Sequence, residues 1–180
     1  MLAPEVVALD VRVAAPGFNA RRSATAREYL YRIDTGPVPS PFTARFVWHR
    51  PGSLAAPAMR RAAASLRGEH DFASFCRAPQ VPASTVRDLR RLAVAVRGDR
   101  VEIRAVANSF LHQMVRSVVG TLMAVGEGKV DPDAMGAILA ARDRSTAGRL
   151  APPHGLTLVR VAYSRRGGPS PLSRQPGAFR

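Results

Sequence analysis

The chain has 180 residues, enough for one domain that buries roughly 70% of the surface its unfolded form exposes, and its single cysteine, Cys76, excludes an intrachain disulfide and fits a reducing compartment. The 27 Lys+Arg against 13 Asp+Glu give a formal net charge of +14, which predicts a polyanionic partner, nucleic acid before any other. No apolar run approaches the ~18 to 20 residues that a membrane helix needs, and the first residues carry no basic region followed by an apolar one, so a cytosolic protein is expected.

Residues 6–13 alternate, with Val7, Leu9, Val11 and Val13 in one register, and predict a first strand ended by a turn at Pro16-Gly17. Residues 27–33 predict a second, with Tyr29, Tyr31 and Ile33 on one face and Leu30 and Arg32 on the other. Pro37, Pro39 and Pro41 then forbid regular structure, and 42–49 has room for a short extended piece. From 57 to 67 the period is helical: Met59, Ala62, Ala63 and Leu66 point inward, Arg60, Arg61 and Arg67 outward, and Gly68 suits a C-terminal cap. Residues 86–96 and 101–107 alternate around Arg97-Gly-Asp-Arg100 and predict a hairpin. In the next segment Phe110, Leu111, Met114, Val115, Val118, Val119, Leu122 and Met123 repeat at helical spacing, with Asn108 and Ser109 as expected caps. His112, Gln113, Arg116 and Gly120 occupy its other, polar side. A third helix is expected to start at an Asp131-Pro132 cap and run to about 142, with Met135, Ile138 and Leu139 inward, and 155–163 supplies a last strand. Hairpins feeding helices without a regular βαβ alternation predict an α+β domain over 1–163, an antiparallel sheet with helices packed on one face, followed by a disordered basic tail over 164–180.

Five blocks then resemble one family in order and spacing. They are Phe18-Asn-Ala-Arg-Arg-Ser-Ala-Thr-Ala-Arg-Glu-Tyr-Leu-Tyr31, Gly68-Glu-His-Asp-Phe-Ala-Ser-Phe75, Ser84-Thr-Val-Arg87, Asn108-Ser-Phe-Leu-His-Gln-Met-Val-Arg-Ser-Val-Val-Gly120 and Ala151-Pro-Pro-His-Gly-Leu-Thr-Leu158. Together they resemble the tRNA pseudouridine synthase A family, whose members isomerise uridine to pseudouridine at positions 38–40 of the tRNA anticodon arm. The resemblance implies the same α+β architecture and a homodimer. It also implies that no cofactor takes part, because uracil only detaches from its ribose and reattaches through carbon.

That chemistry calls for an aspartate nucleophile, a basic residue that keeps it ionised and aimed, and an aromatic that stacks on the extracted base. By resemblance Arg116 is the aspartate's partner and Tyr29 the stacking aromatic. Without the motif, Arg116 reads as a solvated helix arginine and Tyr29 as a core aromatic beside Tyr31 and Ile33. Arg21, Arg22 and Arg27 are candidate phosphate contacts, and the preference for arginine over lysine suits them, although GC-rich codon bias also explains it. Arg22 departs from the aromatic that is common there in the family. His112 has no metal-ligand spacing around it and reads as a polar residue near RNA rather than a catalyst; no metal is expected. Cys76 reads as a small buried hydrophobe, and His154 as a turn residue without chemistry.

The family's Gly-Arg-Thr-Asp-x-Gly-Val-His block, which carries the nucleophile, has no counterpart among the 13 acidic residues. The chain therefore resembles the C-terminal half of such an enzyme and is expected to be inactive alone. A reading frame continuing upstream for about 80 to 110 residues, a domain-sized piece, is expected to supply that block. The competing readings are a non-catalytic RNA-binding remnant or accessory module and a basic ribosome-associated protein. The last explains the charge but not the five blocks.

Overall fold

The computed structural model describes residues 6–11, 13–77 and 84–164, and the expected tail lies almost wholly outside them. The elements run β1 (Ala24–Asp34), β2 (Trp48–His49), α1 (Ala56–Ala64), β3 (Gly68–Asp71), β4 (Val86–Arg97), β5 (Arg100–Ala107), α2 (Met114–Gly126), α3 (Met135–Ala141) and β6 (Leu156–Tyr163). Short 3-10 turns occupy Ala73–Phe75, Pro132–Ala134, Arg144–Thr146 and Pro153–Gly155. The six strands form one sheet in the order β2-β1-β5-β4-β3, with β6 also on β1. All pairings are antiparallel except the two-residue contact of β2 with β1, so the expected α+β class holds and the sheet is mixed.

Local pattern sets the faces. Tyr31 and Ile33 of β1, Val101 and Ile103 of β5, and Leu92 and Val94 of β4 all point to the side that carries the helices, where Met59, Ala62 and Ala63 of α1 and Met135 of α3 complete one core. Each large apolar side chain sealed there contributes roughly 1.5–3 kcal/mol. The opposite face carries Glu28, Arg32, Glu102 and Arg104, paired across the strands as Arg104–Glu28 and Arg32–Glu102. Helix α1 ends at Ala64, and Gly68, at φ +104°, turns the chain into β3 instead of capping the helix. Beyond Leu89 the outer edge of β4 outruns β3. Arg60 Nε donates to Val94 O (3.0 Å) and Arg67 Nε to Leu92 O (3.1 Å), covering that edge.

Two expectations fail for the same physical reason, a partner that the local pattern does not encode. Residues 6–11 and 13 form no strand, and Leu9 (94% exposed) and Val13 (101%) face solvent. No strand of the sheet pairs with these residues, and alternation alone does not supply a ladder partner. Asn108 and Ser109 do not cap α2. Asn108 Oδ1 accepts the N–H of Asp88 (3.1 Å) and of Ser109 (2.7 Å), and α2 begins five residues later behind Gln113 at φ 63°. The Asp131 cap is present, its Oδ1 accepting from Asp133 N at 2.8 Å.

Asp71 joins distant pieces of the helical side. Its Oδ1 accepts from Thr85 Oγ1 and from Ala73 N (3.0 Å), and its Oδ2 pairs with Arg142 Nε (3.0 Å).

Candidate functional site

Helix α2 is the central element of the site, and it is enclosed on both sides. Met114, Val115, Val118, Val119, Leu122 and Met123 face the sheet as the period predicts. The side expected to be solvated is also buried at Ser117, Gly120 and Thr121, because residues 144–151 lie across it. Thr121 Oγ1 donates to Ser117 O (3.0 Å) and accepts from Gly148 N (2.9 Å). A β-carbon on Gly148 would stand 2.8 Å from Thr121 Cα, so only glycine allows that approach.

Arg116, in the first turn of α2, is half-buried rather than solvated. Its Nε donates to Ala151 O at 2.7 Å, and its own carbonyl accepts from Ala151 N at 3.2 Å. It belongs to none of the ion pairs formed among the described residues. Tyr31 lies beside it. Burial pushes the Tyr31 hydroxyl well above its ordinary pKa, and the nearby Arg116 charge opposes that rise without reversing it. The protonated hydroxyl donates to Pro152 O at 2.7 Å.

Tyr29 is two residues back along the same face of β1, about 7 Å by strand rise. It is half-buried, and its ring stands edge-on to Phe110 at 5.2 Å and 87°. Of the two tyrosines sharing that face, Tyr31 takes the core position and Tyr29 the margin, where the segment leading into α2 passes.

The three candidate arginines divide. Asn19 Oδ1 accepts from Arg21 N (3.1 Å) and Arg22 N (3.0 Å), and this turn leaves both side chains exposed. Arg27 is partly buried instead. Its guanidinium donates to Asn108 O (2.8 Å), Ala24 O (3.3 Å) and Arg21 O, tying the turn before β1 to the end of β5. Three of its five N–H donors go to carbonyls, so it also organises the site's edge. His112 is exposed, and its carbonyl accepts from Arg77 N at 3.1 Å. Cys76 is buried, with its thiol pushed up chiefly by that burial. Among the described residues no cluster of three or more His, Cys, Asp or Glu stands close enough to hold a metal ion, and no helix is long and apolar enough to cross a membrane.

Sequence reasoning passed over the carbonyls of Ala151 and Pro152 and the hydroxyl of Tyr31. A signal was available: Pro152 and Pro153 have no N–H, so the chain just after the buried Ala151 offers only acceptors and must find donors elsewhere.

Residues 62–164 match the family model described as tRNA pseudouridine synthase. The tRNA pseudouridine synthase A of Sinorhizobium medicae (strain WSM419) is 48% identical over 155 residues, which cover 86% of this chain and 63% of that protein. That of Methylobacterium nodulans is 44% identical over 163 residues, covering 90% and 64%. That of Brucella ovis is 48% identical over 157 residues, covering 87% and 62%. The chain thus spans less than two thirds of the length of these relatives.

Proposed function

The chain belongs to the tRNA pseudouridine synthase family, and from that premise we propose that it is the arginine- and tyrosine-bearing part of an enzyme that isomerises uridine to pseudouridine at positions 38–40 of the anticodon arm, acting in the cytosol as a homodimer. In the reaction the bond from ribose C1′ to uracil N1 breaks and a bond from C1′ to C5 forms. The hydrogen leaves C5 and N1 gains one, so atoms balance without an oxidant or reductant. Arg116 holds the nucleophilic carboxylate ionised and aimed, Tyr29 stacks on the base drawn out of the helix, Arg21 and Arg22, exposed on one turn, contact phosphates, and the exposed His112 also meets the RNA.

The observation that carries this reading is the placement of Arg116. It is half-buried beside Tyr31, which shares a strand face with Tyr29, fixed by a backbone carbonyl and unpaired with any described carboxylate. A partly desolvated guanidinium without a counter-ion is costly unless an acidic group completes it. The test joins this chain to a half bearing a Gly-Arg-Thr-Asp block and measures pseudouridine in anticodon-arm RNA by mass spectrometry. Arg116→Met should lower turnover by about two orders of magnitude or more, the scale of losing a preorganised electrostatic contact, with tRNA affinity nearly unchanged. The 180-residue chain alone should give no product. Turnover by the chain alone, or full activity of Arg116→Met, would sink the assignment.

The absence of a described carboxylate at Arg116 equally supports a second reading, a non-catalytic RNA-binding module. It is favoured if the joined protein binds tRNA but forms no pseudouridine.

A further inference from the structure

We propose that Tyr31 is a positioning residue that aims Arg116, acting through the strap of residues 149–155 rather than by touching substrate. The proposal rests on the reading of Arg116 as the partner of a carboxylate. An arginine side chain turns about several single bonds, and its fork serves a carboxylate only where something fixes the plane. Here the Nε–H is taken by Ala151 O at 2.7 Å, and Ala151 N returns a bond to Arg116 O at 3.2 Å. The Nη1 and Nη2 ends are the donors that remain, which dictates an end-on, bidentate grip on any acidic group that arrives.

The aim of Arg116 therefore depends on what holds the Ala151 carbonyl. Ala151 is fully buried, but the two prolines after it bring no N–H with which the strap can anchor itself. The anchor comes from β1: Tyr31 Oη donates to Pro152 O at 2.7 Å, one residue beyond the carbonyl that holds Arg116. The Tyr31 ring cannot drift. Gly155 lies against it so closely that a β-carbon there would meet Cζ at 2.7 Å, and Trp48 stands edge-on at 6.3 Å. At the other end of the strap, Gly120 of α2 receives the Arg149 carbonyl at a distance that no side chain permits. The strap is thus pinned on both sides of Ala151, and Tyr31 supplies the pin nearer the carbonyl.

The test uses the 180-residue chain labelled uniformly with 15N, in which the Nε–Hε signal of Arg116 is assigned by its loss in Arg116→Lys. Tyr31→Phe removes one oxygen and should speed Arg116 Hε exchange at least tenfold while the backbone amides of Ile103 and Val119 keep their protection. Tyr163→Phe deletes a hydroxyl that also donates to a backbone carbonyl, Ala20 O at 3.0 Å, and should leave Arg116 unchanged. Pro153→Gly loosens the strap at an exposed position with Tyr31 intact and should speed the same exchange, which keeps the proposal testable if Tyr31→Phe does not fold. In the joined, active form Tyr31→Phe should lower kcat at least tenfold with KM for tRNA unchanged. Arg116 exchange that ignores Tyr31→Phe or Pro153→Gly, or that rises only in step with the core amides, would overturn the proposal and leave the assignment of Arg116 standing. Loss of the assignment in the turnover assay would leave the exchange result standing.

Discussion

The backbone of Gly120 approaches that of Arg149 so closely that a β-carbon on Gly120 would lie 1.7 Å from the Arg149 carbonyl oxygen. No rotamer relieves such a contact, because both partners are backbone, so α2 and the strap must separate. Gly120→Ala is expected to destabilise the chain by about 3 kcal/mol or more, the upper end of overpacking costs. The roughly 1 kcal/mol that alanine gains in a helix offsets only part of this. Urea unfolding followed by the fluorescence of the single tryptophan, Trp48, measures it. A variant as stable as the parent would mean that the strap does not lie on α2.

Gly136 should respond with the opposite sign. It sits in α3, exposed, and a β-carbon there meets nothing within 4 Å. Gly136→Ala is expected to raise stability by roughly 0.5–1 kcal/mol through the smaller backbone entropy lost on folding. A loss of stability in the same urea experiment would contradict the open space drawn around it.

Asp71 makes stability depend on acid. The Thr85 hydroxyl first, then the Ala73 N–H and the Arg142 charge, hold its carboxyl below the usual value against the opposing effect of burial. A carboxyl depressed in the folded state contributes stability that is present above the unfolded value of about 3.9 and is lost as pH falls through the lower folded value. Asp71→Asn should therefore cost about 1 kcal/mol near neutral pH, the scale of one hydrogen bond. The deficit should shrink as pH drops below that unfolded value. A deficit that stays constant down to pH 2 would remove Asp71 from the acid response.

Arg21 and Arg27 should separate binding from folding. Arg21 is exposed, so Arg21→Ala should weaken RNA binding and reduce the slope of log affinity against log salt by about 1, the effect of one lost phosphate contact. Its melting temperature should not move. Arg27 donates to three carbonyls, so Arg27→Ala strands acceptors at the edge of the site and should lower the melting temperature by several degrees. Salt titrations and thermal melts on both variants decide the matter; equal melts with equal slopes would refute the division.

Elements whose signal is a local period were legible in the chain. Met59, Ala62, Ala63 and Leu66 all fall to zero exposure, and the hairpin turns at Gly98-Asp99 between β4 and β5. Periodicity tells which residues share a face, and a shared face next to an apolar core must be buried. The strand expected over residues 6–13 failed because a strand also needs a pairing partner, and none of the sheet's ladders includes these residues. The capping role expected of Asn108 failed in the same way, since its amide serves Asp88 across the hairpin.

At the site, the sequence by itself determined that Tyr29 and Tyr31 share a face, that Arg116 follows an apolar stripe, and that the charge favours a polyanion. Only the tertiary structure decided that Tyr31 goes to the core while Tyr29 stays at its margin, that Arg27 is occupied while Arg21 is exposed, and that the polar side of α2 is roofed over. The physical reason is the reach of the contacts. Face and period are set within a few residues, whereas the partners that fix burial and hydrogen bonding lie 35 residues away for Arg116 and Ala151, 81 for Arg27 and Asn108, and 121 for Tyr31 and Pro152.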